Sequence, residues 1–125
     1  MLAPSSPGDV LDRLTILALK VDRITDPARR QQAKHHHEAL LVAWHGADLG
    51  EPESLPEHRE LAQINAALWD VEDALRVHEQ QHTFDDAFVQ LARSVYRLND
   101  ARAAVKARLD ARLGAAHADV KSYGA

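Results

Sequence analysis

Apolar residues recur along most of the chain at intervals of three and four, the spacing of a helix with one buried face. No stretch keeps the every-second-residue alternation of a strand. The first run, Val10, Leu14, Leu17, Val21 and Ile24, predicts a helix from about Pro7 to Ile24. Ser6 suits its N-cap, Pro7 its first position, and Asp9 the positive end of its dipole. Asp26 and Pro27 repeat that cap-and-start pair for a second helix to about Trp44, closed by Gly46 or Gly50. Gly50–Glu51–Pro52–Glu53–Ser54 reads as a loop. Ser54 with Glu57 forms a capping box opening a third helix, to about Gln80. Thr83 with Asp86 reads as another box, and a fourth helix runs to about Leu113, stopped by Gly114. The tail, 115–125, receives no assignment. Short connections make successive helices antiparallel neighbours. The predicted fold is therefore all-α, a single domain built as an antiparallel bundle of about four helices.

Composition narrows the classes. A chain of 125 residues, 46% of them apolar, suits one core and is too apolar for disorder. With no cysteine there is no disulfide framework and no thiolate chemistry. Met1 to Asp9 lack the basic-then-apolar order of a secretory signal, and the longest apolar run, Ala39 to Trp44, is too short to span a bilayer. A cytoplasmic protein is expected. The net charge of -4, with signs mixed along the chain, argues against a nucleic-acid surface. No glycine-rich phosphate loop, HExxH or nucleophile signature is present, and no cofactor is indicated.

One feature departs from the pattern. The stripe of the third helix is Leu61, Ile64, Leu68, Val71 and Leu75, and Asn65 and Glu72 fall in or beside it. The stripe of the fourth is Phe88, Leu91, Val95, Leu98, Val105, Leu109 and Leu113, and Asn99, Arg102 and Lys106 fall within it. On the first helix Arg13 and Lys20 flank the apolar face. Antiparallel order puts Arg13, Asn65, Arg102 and Lys106 at one level, with Glu72, Asn99, Tyr96 and Lys20 one to two turns further in. An unpaired buried charge costs several kcal/mol, so something must satisfy these groups. Either they pair among themselves, Glu72 with Lys20 or Arg102, or they line an interior pocket. Cations outnumber Glu72, so a ligand there is expected to be a small anion with carboxylate or phosphate groups. Arg13, Arg102 and Lys106 would hold it, Asn65 and Asn99 orient it, and Glu72, desolvated beside cations, act as general acid or base.

Leu11, Ile16 and Leu19 lie off the main stripe of the first helix, which makes it apolar nearly all round. That predicts a homodimer packed through helix one, or cover from helix two and the tail. His78 and His82, at i and i+4, form a weak metal pair. His35, His36 and His37 point in different directions, with His37 alone directed to the core, and His45, His58 and His117 read as surface residues.

Several stretches resemble a family of short, functionally uncharacterised bacterial helical proteins. They are Ser6–Pro7–Gly8–Asp9, then Asp12–Arg13–Leu14–Thr15–Ile16–Leu17 and Lys20; the run Asn65 to Asp73; Val95 to Arg102 with Lys106; and Lys121–Ser122–Tyr123. Asp9 stands where glutamate is usual. The resemblance covers nearly the whole chain and takes in the polar set above, while the histidine-rich second helix falls outside it. It implies an association with surface-polysaccharide genes and no reaction. All-helical chorismate mutases offer a looser analogy, a dianion held among Arg, Lys, Asn and Glu inside a bundle. The leading reading is a small-molecule site for an anionic metabolite or sugar phosphate, with or without catalysis. Its rivals are a non-catalytic helical dimerisation or adaptor module and a histidine metal site.

Overall fold

The end signals of the chain set its elements: α1 Pro7–Arg23, α2 Pro27–Gly46, a 3-10 turn Pro52–Ser54, α3 Pro56–Gln81 and α4 Asp86–Leu113. The computed structural model describes residues 6–113; the expected stop at Gly114, the tail and His117 lie outside them. The fold is the all-α bundle expected. Ser6 Oγ accepts from the Asp9 amide at 3.1 Å, and Asp26 caps α2 through the Arg29 amide at 2.9 Å.

The two capping boxes are not formed. Ser54 belongs to the 3-10 turn, and its hydroxyl donates to the Glu51 carbonyl at 2.6 Å. The N-cap of α3 is Leu55, without a side-chain cap; Pro56, with φ already fixed, begins the helix. Asp85, not Thr83, caps α4, accepting from the Phe88 amide at 3.1 Å. Thr83 instead lies 3.0 Å from His78 Nδ1, closing the end of α3, where His82 takes the left-handed conformation at φ 54°.

The first helix is the hub. α1 packs against α2, α3 and α4, α3 and α4 pack along each other, and α2 packs chiefly on α1. Val10, Leu11, Leu14 and Leu17 of α1 meet Leu40 and Trp44 of α2, Leu61 of α3, and Val105 and Leu109 of α4. Leu11 is fully covered, while Ile16 and Leu19 are half-buried. The chain's own helices thus cover α1 fully at Leu11 and in part at Ile16 and Leu19.

Charges tie the lower end. Glu57, fully buried, accepts from Arg112 Nη2 at 2.6 Å and Arg108 Nε at 3.1 Å, and Arg108 also pairs with Glu60. The Arg112 and Arg108 guanidiniums hold the Glu57 carboxyl down at about 2, from an ordinary 4.5. Beside them the Gly8 amide donates to Asp110 at 2.6 Å. A Cβ on Gly8 would meet the Lys106 carbonyl oxygen at 2.6 Å, so α1 and α4 approach this closely only because residue 8 has no side chain.

The upper end is different. α3, with 26 residues, is about 39 Å long, and α1, with 17, about 26 Å. Every buried residue of α3 lies at or before Leu68, and those of α4 are Val105 and Leu109. Beyond α1 the two long helices continue as a two-helix arm. Its seam, Val71, Leu75, Phe88, Leu91, Val95 and Leu98, is only half-buried.

Candidate functional site

The level predicted for Asn65, Arg102 and Lys106 is where α1, α3 and α4 are joined by polar side chains. Asn65, 5% exposed, donates from Nδ2 to Asp12 Oδ1 at 2.8 Å and to Thr15 Oγ1 at 2.9 Å. The Thr15 hydroxyl donates to the Asp12 carbonyl at 2.7 Å. Arg102 Nη1 reaches Asn65 Oδ1 at 3.3 Å. Lys106 Nζ stands 2.9 Å from Asp9 and 3.9 Å from Asp12. The Asp9 carboxyl is held below the usual carboxylate range, first by the hydrogen bond from Lys106. Among the described residues no buried side-chain polar atom lacks a partner. Part of the polar set is therefore an internal network, centred on Asn65.

The rest opens onto two adjoining surface clefts, not an enclosed interior pocket. One, of about 430 Å³ between α1 and α4, is lined by Asp9, Asp12, Arg13, Ile16, Lys20 and Lys106 among others. There three cations, Arg13, Lys20 and Lys106, face two carboxylates, and Lys106 is paired with both. The other, also about 430 Å³, lies among α1, α3 and α4, with Lys20, Asn65, Trp69, Glu72, Arg76, Asn99 and Arg102 in its lining. Ile16 and Lys20 belong to both. In the second cleft three cations face a single carboxylate, Glu72. Arg76 is 3.4 Å from Asp73. Among the described residues neither Lys20 nor Arg102 forms an ion pair, and the one side-chain partner of Arg102 is the neutral Asn65.

Several expected residues stand elsewhere. Glu72 is exposed at the rim of this cleft, not desolvated in the interior, and no ion pair joins it to Lys20 or Arg102. Tyr96, 74% exposed, sits on the arm and lines neither cleft. Arg13 reaches only the α1–α4 cleft. His78 faces the Thr83 carbonyl through Nδ1 at 2.8 Å and packs edge-on to Phe88. His82 lies past the helix end, so the i, i+4 relation does not hold. Among the described residues no group of three or more His, Cys, Asp or Glu could share a metal ion.

Asp12, Thr15 and Trp69 were not foreseen as site residues. Asp12 and Thr15 fall opposite the apolar stripe of α1, the side a wheel assigns to water. The signal that could have found them was the all-round apolarity of α1, because a helix enclosed on all sides also encloses its polar residues.

A protein-family model matches residues 1–125, and its description is a family of unknown function. No curated protein and no solved structure matches the chain. Among the described residues no helix is long and apolar enough to cross a membrane.

Proposed function

The chain belongs to DUF6165, a family of unknown function, over its whole length, and from that premise we propose that it binds a small anionic metabolite in the α1–α3–α4 cleft. The observation that carries the reading is the charge of that cleft: Lys20, Arg76 and Arg102 against Glu72 alone. Arg102 and Lys20 are the anion's partners, since the network binds Lys106 to Asp9 and Asp12. Asn99 offers both a donor and an acceptor for orientation. Glu72 is the lining carboxylate through which any proton transfer would run. Asn65 holds Arg102 in place and does not itself receive ligand. The resemblance to bacterial proteins associated with surface-polysaccharide genes supports a cytoplasmic role and a phosphorylated sugar as the ligand class.

The satisfied Asp12–Thr15–Asn65 network favours a second reading, a non-catalytic helical adaptor whose polar residues only fix the packing. Arg102→Met separates the two. Its hydrogen bond to Asn65 is at 3.3 Å and to a neutral oxygen, so losing it costs about 1 kcal/mol. Stranding a buried carboxylate would cost about 3–5 kcal/mol. Thermal melts at matched ionic strength are expected to show wild type stabilised by millimolar inorganic phosphate beyond the effect of sulfate. Arg102→Met is expected to melt within a few degrees of wild type and to lose that phosphate increment. A wild type indifferent to phosphate, or an Arg102→Met protein that keeps the increment, refutes the binding reading and leaves the adaptor.

A further inference from the structure

A bare anion accounts for Lys20 and Arg102 but leaves two lining residues of the same cleft unexplained. Glu72 would repel it, and Trp69 would gain nothing from it. Trp69 is half-buried and is one of only two tryptophans in the chain. The Arg23 guanidinium sits 5.8 Å from the centroid of its ring, and Arg23 is itself fixed to Asp70 at 2.7 Å. Trp69 lines the cleft whereas Arg23 does not. Its indole is the aromatic element of a lining whose wall is otherwise polar and aliphatic.

That wall mixes kinds of hydrogen-bonding group. Glu72 accepts only, Lys20, Arg76 and Arg102 donate only, and Asn99 does both. An acceptor beside donors suits hydroxyl groups, each of which gives and receives. A flat apolar surface next to them suits the C–H face of a sugar ring. The volume, about 430 Å³, falls in the range of small-molecule sites and is far more than a phosphate ion needs.

We propose that the α1–α3–α4 cleft takes a pyranosyl phosphate: the sugar ring lies on Trp69, its hydroxyls bond Glu72 and Asn99, and the phosphate sits between Lys20 and Arg102. The proposal rests on the reading above and deepens it by assigning the sugar ring of that ligand class to Trp69 and its hydroxyls to Glu72 and Asn99.

Titration calorimetry with three probes tests it: inorganic phosphate, glucose 1-phosphate and adenosine monophosphate. Glucose 1-phosphate is expected to bind wild type about ten-fold tighter than inorganic phosphate, the gain of an aromatic platform with its flanking hydrogen bonds. It is also expected to change tryptophan emission. That change reports Trp69, because Trp44 is fully buried and donates to the Gly50 carbonyl at 2.8 Å. Trp69→Leu is expected to bring glucose 1-phosphate down to the affinity of phosphate, with phosphate binding unchanged. Glu72→Gln, at an exposed position where folding is not at stake, is expected to weaken the sugar phosphate and to strengthen bare phosphate. Equal affinity of wild type for glucose 1-phosphate and phosphate overturns the sugar subsite and leaves anion binding standing. Tighter binding of adenosine monophosphate than of glucose 1-phosphate overturns it in favour of a base on Trp69. No binding of any probe overturns both readings together.

Discussion

Replacing Glu57 with glutamine tests the best-defined electrostatic contact in the protein. Its carboxylate is fully buried and shared by Arg108 and Arg112. Those two cations, together with its own backbone amide, lower its pKa from 4.5 to about 2. Taken whole, that displacement corresponds to about 3 kcal/mol in favour of the folded chain. The arginine side chains are 50% and 44% exposed, so water screens part of it, and about 2 kcal/mol is the expected net value. Glutamine keeps the shape and one acceptor oxygen but turns an amide NH₂ towards a guanidinium. At neutral pH, Glu57→Gln is expected to lose about 2 kcal/mol, a fall of roughly 8 °C in Tm for a domain of this size. The sign with pH follows from the lowered pKa. The contribution is complete above the unfolded value of 4.5 and disappears as pH falls towards about 2. The gap between the two proteins should then close across that window, because glutamine does not titrate. Urea unfolding at pH 7 and at several points between pH 4.5 and 2 measures it. A difference below about 0.5 kcal/mol at pH 7, or a gap that stays constant down to pH 2, would refute the reasoning.

Two further substitutions probe the joints between helices. Asn65→Ala removes the donor to both Asp12 and Thr15, and is expected to cost about 2–3 kcal/mol in urea unfolding because buried oxygens lose their partner; a loss under about 1 kcal/mol would show that water replaces it at no cost. Gly8→Ala should destabilise by about 1–3 kcal/mol although alanine is the better helix former by about 1 kcal/mol, because its methyl would meet the Lys106 carbonyl oxygen at 2.6 Å; a variant as stable as wild type would mean that the approach of α1 to α4 is not close.

The helices were legible because their signals are local. Ser6 and Asp26 cap what they were expected to cap, and the level shared by Asn65, Arg102 and Lys106 followed from chain direction alone. The misreadings have a common physical source. Ser54, Glu57 and Thr83 were given nearby backbone partners by pattern, and in the fold more distant or stronger partners take their place. Glu57 goes to Arg108 and Arg112, 51 and 55 residues away, and the Asp85 carboxylate displaces Thr83 as cap. Arg108 and Arg112, four apart on the last turns of α4, were the sequence sign of that ion cluster. Asp12 escaped because a wheel assumes one buried face, whereas α1 is packed by three helices. Tyr96 lies off the apolar stripe of α4, and Glu72 follows Leu68, the last buried residue of α3, where α3 and α4 have outrun α1.

The arm has a consequence for how the molecule breathes. Opening free energy in a small domain follows the density of buried contacts. At the base, amides are sheltered by a continuous core and a buried ion cluster. Past Leu68 and before Val105, no described residue of α3 or α4 is fully buried. Amide exchange should therefore be graded along single helices: slow in the first turns of α3 and the last turns of α4, and fast towards Gln81 and Asp86. Glu72, Arg76 and Asn99, which line the upper cleft, stand where that gradient begins. A molecule seated among them would join the first turns of the arm to α1 and carry protection outward along both helices, so occupancy of the cleft would be readable in amides that never touch it.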